Sequence, residues 1–289
     1  MLDTLFFIPL RIMAERIKAE ERSLRMWNNA EIYHENNSIT RRDAIESLDA
    51  FAPLFNWKSN EKILEVGCAD GSITKILATY FPKNINSLTA CDNDEKGLKY
   101  ASEHNKNEKI TFKFMDIEED LSSDVKGKFD HVFSLCTFHW IRKQQKAFQN
   151  IYDLLTTEGE CFLTLFAYTQ MYHFYVILKH SEKWRDWLQD MTTFLSPYYN
   201  ISSPDNLIEE MLKKIGFKHV QIQTKQKTYS YQKREFREIM RAVNPFKIPN
   251  EKIEHFIDDL FEVARGMALI NEDGTLLVTY NLLIIYCQK

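Results

Sequence analysis

The sequence has few of the patterns that assign a protein to a class at first sight. Its five cysteines form no Cys-x-x-Cys pair and are expected to be reduced, partly buried thiols, as in a cytoplasmic protein. The eight histidines show no spacing typical of a metal site. We therefore predict a cytoplasmic location and no bound metal.

Long runs of one residue type are also missing. There is no long basic run and the net charge is -4, which argues against nucleic acid as the main partner. The apolar residues 2–10 are interrupted by Asp3 and Pro9, so they are too short to span a bilayer. We predict no stable membrane insertion. From Pro9 an amphipathic helix is expected, packed on the body or, as the alternative, lying on a membrane surface.

The composition is that of a soluble globular protein. Of the 289 residues, 44% are hydrophobic and 27% are charged. This length is enough for one large domain with insertions or for two domains. Small-molecule chemistry is the function class that these values favour.

Apolar runs and helical patterns alternate along the chain. Strands are predicted at 62–66, 87–91, 110–115, 129–135, 160–167, 219–229 and 276–286, and helices at 30–55, 72–80, 94–105 and 144–155. This order predicts an α/β fold with a mostly parallel sheet and helices on both faces. Two insertions, 169–199 and 232–270, are expected to leave from the carboxyl edge of the sheet as a helical lid. Their aromatic residues indicate an apolar substrate or, alternatively, packing of the lid.

The most informative stretch is 63–72, Ile-Leu-Glu-Val-Gly-Cys-Ala-Asp-Gly-Ser. Gly67 allows a sharp turn after a strand, and Gly71 lets the next helix begin close to a ligand. Asp92 ends the following strand and offers an acceptor for two ribose hydroxyls. The pattern predicts a nucleotide-binding crevice at the carboxyl ends of the strands.

The same turn differs from one that binds a dinucleotide. Ala69 stands where Gly-x-Gly-x-x-Gly has its middle glycine, and Asp70 would repel a diphosphate. A carboxylate suits the sulfonium and ammonium groups of S-adenosylmethionine instead. On this segment alone, an ordinary strand-turn-helix of another α/β protein stays open as the alternative.

Further segments are typical of one family. They are Asn28-Asn29-Ala30-Glu31-Ile32-Tyr33, Arg41-Arg42-Asp43-Ala44, Glu65 to Ser72, Phe129-Asp130-His131-Val132-Phe133-Ser134, Phe138-His139-Trp140-Ile141, Trp184 with Trp187, Phe194-Leu195-Ser196-Pro197-Tyr198 and Asn244-Pro245-Phe246. From about Met26 to the end, the chain resembles the insect juvenile hormone acid O-methyltransferases. The resemblance implies a Rossmann-like class I methyltransferase with a seven-stranded sheet. It also implies methyl transfer from S-adenosylmethionine to the carboxylate of juvenile hormone acid or farnesoic acid.

The sequence departs from the family at two places. Thr40 stands where the family carries a glutamine that is thought to contact the substrate carboxylate. Leu135 and Cys136 replace an aromatic pair before the His-Trp segment. These departures leave two alternatives open, namely another fatty or small apolar acid as acceptor, or a weakly active paralogue that binds a hydrophobic ligand.

The resemblance also suggests how the chain is divided. Residues 1–25 form an extension outside it, 26–57 a helical cap, and 58–168 the cofactor-binding half. Residues 169–203 form the first lid insertion, and 204–289 complete the sheet and hold the second insertion. An aromatic-rich lid can also form a dimer surface, so a homodimer stays open.

We assign the cofactor contacts by part of the molecule. The methionine part is expected to meet the backbone of Gly67, Cys68, Ala69 and Gly71, with Glu65 and Asp70 beside the turn and Arg42 as partner of the carboxylate. The ribose and adenine are expected to meet Asp92, Asn93, Asp116 and Ile117, and Ser134 to line the floor below the methyl group. Asp116 could instead cap a short helix that follows it.

The acceptor site is expected just beyond the fourth strand. A carboxylate is already ionised at neutral pH and needs no general base, so alignment and desolvation are the main tasks. His139 and Trp140 are expected to hold the acceptor carboxylate, with Thr40 of the cap. Alternatively, His139 caps the following helix and Trp140 fills space under the lid. For a hydroxyl acceptor, His139 would be the obvious base.

Overall fold

The computed structural model describes residues 29–289. The predictions for residues 1–28, including the N-terminal amphipathic helix, lie outside the described residues. Within residues 29–289, no helix combines the length and apolar character needed to cross a membrane.

Within residues 29–289, seven strands form a single sheet. They are β1 (Lys62–Val66), β2 (Ser87–Asp92), β3 (Ile110–Phe114), β4 (Phe129–Ser134), β5 (Leu155–Thr169), β6 (Lys218–Tyr231) and β7 (Leu276–Gln288). Their spatial order is β3-β2-β1-β4-β5-β7-β6. Strands β1 to β5 run parallel, and β7 is antiparallel to both β5 and β6. The predicted mostly parallel seven-stranded sheet is confirmed.

This order places a ligand crevice at one edge of the sheet. The chain moves from β1 outward to β2 and β3, then returns to place β4 on the other side of β1. The strand order therefore reverses between β1 and β4. In open α/β sheets, ligands bind beyond the carboxyl ends of the strands at such a point.

Helices cover both faces. They are α1 (Ala30–Asn36), α2 (Ser38–Phe51), α3 (Ser72–Tyr80), α4 (Glu95–His104), α5 (Gln144–Leu154), α6 (Met171–Lys179), α7 (Pro204–Ile215), α8 (Lys233–Val243) and α9 (Asn250–Gly266). Side chains cap two of them, since Asn29 accepts from the first turn of α1 and Asp94 from that of α4. The single helix predicted at 30–55 is broken at Asn37, whose side chain bonds to Ser72.

Each face of the sheet has its own apolar core. On one face, Ile151 of α5 and Ile208 of α7 pack against the strands, and both are fully buried. On the other face, Leu48 of α2 and Leu77 of α3 do the same. Burying a side chain of this kind stabilises the fold by roughly 1.5–3 kcal/mol. The two cores fix the strands whose carboxyl ends carry the site.

The two lid insertions form a third core. Phe174, Trp184, Phe236 and Phe256 come from both insertions and are at most 1% exposed. The Trp184 indole nitrogen donates to an Asp259 carboxylate oxygen at 2.6 Å. Both insertions begin at the carboxyl edge, where β5 and β6 end, as predicted. Many lid aromatics therefore hold the lid together, in line with the packing alternative.

Candidate active site

Two glycines shape the turn between β1 and α3. Gly67 has φ +81° and Gly71 has φ +76°, values that favour glycine. A Cβ on Gly67 would lie 2.3 Å from the Thr137 side chain, and one on Gly71 would lie 2.5 Å from the Asn105 amide nitrogen. Protein atoms fill the space beside both glycines, so close packing and the positive φ both require glycine at these positions.

The backbone N–H groups of the turn are used within the protein. Those of Gly67 and Cys68 donate to the Cys91 carbonyl at 2.7 and 3.0 Å. Those of Ala69 and Gly71 donate to the Asp92 carboxylate and to the Cys68 carbonyl at 2.9 and 2.8 Å. These four groups are not available to a phosphate, so the turn does not suit a dinucleotide. These residues can therefore make polar backbone contacts with a ligand through their carbonyl oxygens.

Asp92 lies at the tip of β2, and both of its carboxylate oxygens accept hydrogen bonds from backbone N–H groups. Its Oδ2 accepts from Ala69 and its Oδ1 from the Asp94 N–H, each at 2.9 Å. Burial raises the pKa of Asp92 to about 6. A carboxylate oxygen can accept two hydrogen bonds, so both oxygens can also take a ribose hydroxyl. These acceptor oxygens fit the ribose hydroxyls of S-adenosylmethionine.

Asn93 and Asp116 meet across the ends of β2 and β3. The Asn93 amide nitrogen lies 3.3 Å from Asp116 Oδ2, and the Glu118 N–H donates to Asp116 Oδ1 at 2.9 Å. The second bond is the local capping that was the alternative for Asp116. Ile117 is buried in the core, and its carbonyl accepts from Asn150 at 2.7 Å. The structure thus brings the expected adenine-binding residues together.

Glu65 lies beneath the turn and is 1% exposed. The Thr74 hydroxyl lies 2.6 Å from its Oε2, which joins β1 to α3. Burial raises the pKa of Glu65 to about 8, so this carboxyl is mostly protonated at neutral pH. Glu65 is placed to support the turn from below.

Asp70 holds the cap against the turn. It is 2% exposed, and its Oδ2 lies 2.6 Å from His34 Nδ1 on α1. Its Oδ1 accepts from the Ser72 hydroxyl at 2.9 Å. His34 was not among the predicted site residues, because nothing in the local pattern pairs it with a residue 36 positions away.

Two predicted cofactor residues bond within the protein. Ser134 is fully buried and its hydroxyl donates to the Val66 carbonyl at 2.8 Å, so it joins β4 to β1 instead of lining an open floor. The Arg42 guanidinium bonds to Asp43, to the Thr228 carbonyl and to the Tyr280 hydroxyl. Those partners include β6 and β7, well beyond β1 in the sheet order. The Arg42 guanidinium is thus engaged on the β6–β7 side of the cap, and its contact with the methionine carboxylate stays a prediction.

His139 is neutral at physiological pH. It is 6% exposed, and burial, helped by the charge of Arg142, lowers its pKa to about 3. Its Nδ1 accepts from the Phe166 N–H at 3.5 Å, which leaves the proton on Nε2. His139 does not cap α5, so that alternative is not what the structure shows. Its ring lies 5.2 Å from that of half-buried Trp140, whose indole nitrogen has no hydrogen-bond partner within residues 29–289.

Thr40 lies on the inner side of the cap. It is 8% exposed, and its hydroxyl contacts that of Tyr33. Burial and the charge of Asp70 raise the pKa of Tyr33 above its usual value. Tyr33 also lies within electrostatic range of Cys136, just after β4. The cap therefore reaches the point where the strand order reverses.

Two further residues near the site, Thr137 and Arg142, were not predicted from the sequence. The Thr137 hydroxyl lies 3.3 Å from the Gly67 carbonyl and joins the ends of β4 and β1. The Arg142 guanidinium donates to the Leu195 carbonyl, and its buried Nε has no hydrogen-bond partner within residues 29–289. Burial lowers the pKa of Arg142. Its position two residues after Trp140 was the available signal.

Within residues 29–289, no three His, Cys, Asp or Glu side chains are grouped as a metal site would need. A cavity of about 380 Å³ lies beside the carboxyl end of β5 and is lined by residues such as Tyr168, Tyr199 and Asn281. It includes neither Asp92 nor His139. We therefore define the site by its side chains and not by this cavity.

Comparison with known proteins agrees with this geometry. A protein-family model described as a methyltransferase domain matches residues 57–242. The juvenile hormone acid O-methyltransferase of Bombyx mori is 37% identical over 91% of this chain and 98% of its own length. That of Drosophila melanogaster is 31% identical over 91% and 92%.

A solved structure shares the fold at low identity. Phosphoethanolamine N-methyltransferase 2 of Haemonchus contortus, in complex with S-adenosyl-L-methionine, matches 85% of this chain and 52% of its own with a TM-score of 0.52 and 17% identity. Fold, site and sequence point the same way. The chain belongs to the juvenile hormone acid O-methyltransferase family of S-adenosylmethionine-dependent methyltransferases.

Proposed function

We propose that the protein transfers a methyl group from S-adenosylmethionine to the carboxylate of an apolar terpenoid acid, such as juvenile hormone acid or farnesoic acid. Both insect relatives are named for juvenile hormone acid. When bound, S-adenosylmethionine supplies an activated methyl group on a sulfonium. We assign the binding of S-adenosylmethionine to the carboxylate oxygens of Asp92 and to the cap above the turn.

The protonation state of His139 is the observation that favours a carboxylate over a hydroxyl as the methyl acceptor. A base with a pKa of about 3 removes a hydroxyl proton poorly at neutral pH, whereas a carboxylate needs no such help. Neutral His139 has a proton on Nε2 to donate. The positive charge of Arg142 lies close enough to lower the pKa of His139, so this end of the crevice favours an anion.

We propose that the lid keeps water away from the acceptor carboxylate and the sulfonium of the methyl donor. Helices α6, α8 and α9 form one apolar core over the carboxyl edge. Without water, the attraction between the acceptor carboxylate and a sulfonium is screened less. Orientation and desolvation of the two groups then supply most of the rate.

The side chains near Thr40 set the range of acceptors in this proposal. Thr40 is shorter than the glutamine of the family and contacts Tyr33. Leu135, which follows the last residue of β4, is buried at a position where the family has an aromatic residue. Straight-chain fatty acids are therefore the second acceptor class to test. We also propose a cytoplasmic location, supported by five cysteines without a disulfide.

The test is methyl transfer with a panel of acids. Purified protein is incubated with labelled S-adenosylmethionine and farnesoic acid, juvenile hormone acids, straight-chain fatty acids or short polar acids. We expect turnover of terpenoid acids above the others. Turnover of fatty acids alone would show that the acceptor is a fatty acid and not a terpenoid acid. Binding of S-adenosylhomocysteine without turnover of any acid would contradict the proposed function.

A further inference from the structure

A chain of hydrogen-bonded polar side chains ties the cap helix α1 to the β1–α3 turn. His34 Nδ1 lies 2.6 Å from Asp70, and the Ser72 hydroxyl lies 2.9 Å from the other oxygen of the same carboxylate. The Asn37 amide nitrogen lies 2.8 Å from the Ser72 hydroxyl. Asn37 is fully buried.

The direction of these bonds fixes the orientation of the Asn37 amide. An ionised carboxylate only accepts, so the Ser72 hydroxyl donates its one proton to Asp70. The Ser72 oxygen must then accept, and only the NH₂ group of Asn37 can donate to it. The Asn37 Oδ1 therefore faces away from Ser72. It is buried and has no hydrogen-bond partner within residues 29–289.

This unpaired acceptor lies at the ligand crevice. Tyr33 is in hydrogen-bond contact with Asn37 and within electrostatic range of both Asp70, after β1, and Cys136, after β4. The pair of strands β1 and β4 is where the strand order reverses. A buried acceptor without a donor is unfavourable, so a ligand that supplies the donor is favoured here.

The surroundings select the kind of donor. The N–H groups of Gly67, Cys68 and Ala69 are already used. Asn37 is linked through the Ser72 hydroxyl to the carboxylate of Asp70. The Asp70 carboxylate accepts hydrogen bonds and would repel an anion. An ammonium group has three donors and a positive charge, and it fits these surroundings.

We propose that Asn37 Oδ1 accepts a hydrogen bond from the α-ammonium group of the methionine part of S-adenosylmethionine. Asn37 is then a cofactor-binding residue of the cap, and the chain through Ser72 to Asp70 holds its amide in position. This inference rests on the methyl donor of the family and is independent of which acid accepts the methyl group.

The test compares two ligands by calorimetry without any acceptor. S-Adenosylhomocysteine carries the amino acid part, and 5′-methylthioadenosine lacks it but keeps the adenosine and the sulfur. For Asn37→Ala, we expect S-adenosylhomocysteine to bind about tenfold more weakly or worse, because a charged hydrogen bond is lost. Binding of 5′-methylthioadenosine is expected to stay within about twofold, which also shows that the variant is folded.

Two further variants separate ligand contact from support of the turn. Asn36→Ala removes a side chain that bonds only to the Ile32 carbonyl within α1, and neither ligand should respond. Ser72→Ala cuts the tie to Asp70 but keeps Asn37 Oδ1. The proposal would be overturned if Asn37→Ala lost the same affinity for both ligands and Ser72→Ala showed the same pair of losses. An unchanged affinity of Asn37→Ala for S-adenosylhomocysteine would also overturn it.

Discussion

Ala69 occupies a left-handed backbone conformation in the β1–α3 turn, with φ +47°. An alanine there costs roughly 1–2 kcal/mol that a glycine avoids. The extra freedom of glycine in the unfolded chain offsets about 0.5–1 kcal/mol of that gain. The turn therefore carries a strain that a single substitution can relieve.

Ala69→Gly is expected to leave the free energy of unfolding unchanged or to raise it by up to about 1 kcal/mol. The matched control is Ala147→Gly, a buried alanine inside α5, which is expected to cost about 1 kcal/mol or more. Urea unfolding measures both. If Ala69→Gly lowers the free energy of unfolding as much as Ala147→Gly does, the backbone at position 69 is not strained.

Asp92 predicts a pH dependence of cofactor binding. With a pKa of about 6, its carboxylate is ionised above that pH and accepts ribose hydroxyls best there. The affinity for S-adenosylhomocysteine should fall as the pH drops through about 6. In the free protein the sign is opposite, because a raised pKa gives stability at low pH that is lost as the pH rises through about 6.

Calorimetry at several pH values between about 5 and 8 checks this prediction. Asp92→Asn should bind S-adenosylhomocysteine more weakly and show a flatter pH profile. A wild-type affinity that is constant through pH 6 would show that Asp92 does not accept from the ligand in its ionised form.

His139 is expected to lower the barrier as a hydrogen-bond donor and not as a base. His139→Ala should reduce kcat/KM for an acid acceptor by about ten- to a hundredfold. His104→Ala is the control, since His104 bonds to its own helix on the exposed side of α4. Equal activity of the two variants would exclude His139 from the reaction.

The residues of the β1–α3 turn and Asp92 were predictable because they are close in sequence to the strands that carry them. The contacts of Arg42 were not, because its partners Asp43, Thr228 and Tyr280 come from β6 and β7 as well as its own helix. His34 likewise depends on where the cap docks. Local patterns identify residue types, and long-range packing decides which of them face the crevice.

Among the elements, those bounded by clear signals were predicted best. β1 and α3 have the predicted bounds, since Gly67 and Gly71 separate an apolar run from a helical pattern. The break at Asn37 was missed because both neighbouring segments favour a helix. β5 begins at Leu155, earlier than predicted, although Glu158 has a positive φ and Gly159 follows it.

The lid predicts a contrast between two tryptophans. Trp184 is 1% exposed and bonds to Asp259 of α9, so Trp184→Ala should cost about 3–5 kcal/mol of the stability of the lid core. Trp187 lies partly exposed on the same segment, and Trp187→Ala should cost less. Thermal unfolding of both variants checks this. Equal losses would mean that Trp184 does not anchor the lid.

For the whole molecule, the alternation of strands and helices and the family resemblance were enough to predict the sheet. The pairing of β5 with β7 joins residues more than a hundred positions apart, such as Cys161 and Cys287, and no local pattern encodes it. The two lid insertions share one core for the same reason. Sequence therefore indicated the layers, and packing determined how the lid covers the site.

The most direct test of the account compares farnesoic acid with farnesol as methyl acceptors at neutral pH. The two molecules share their apolar chain and differ in whether the end group is ionised. Neutral His139 and nearby Arg142 predict rapid methyl ester formation from the acid and no measurable ether from the alcohol. Methylation of the alcohol at a comparable rate, or of neither compound, would contradict a carboxylate-specific site.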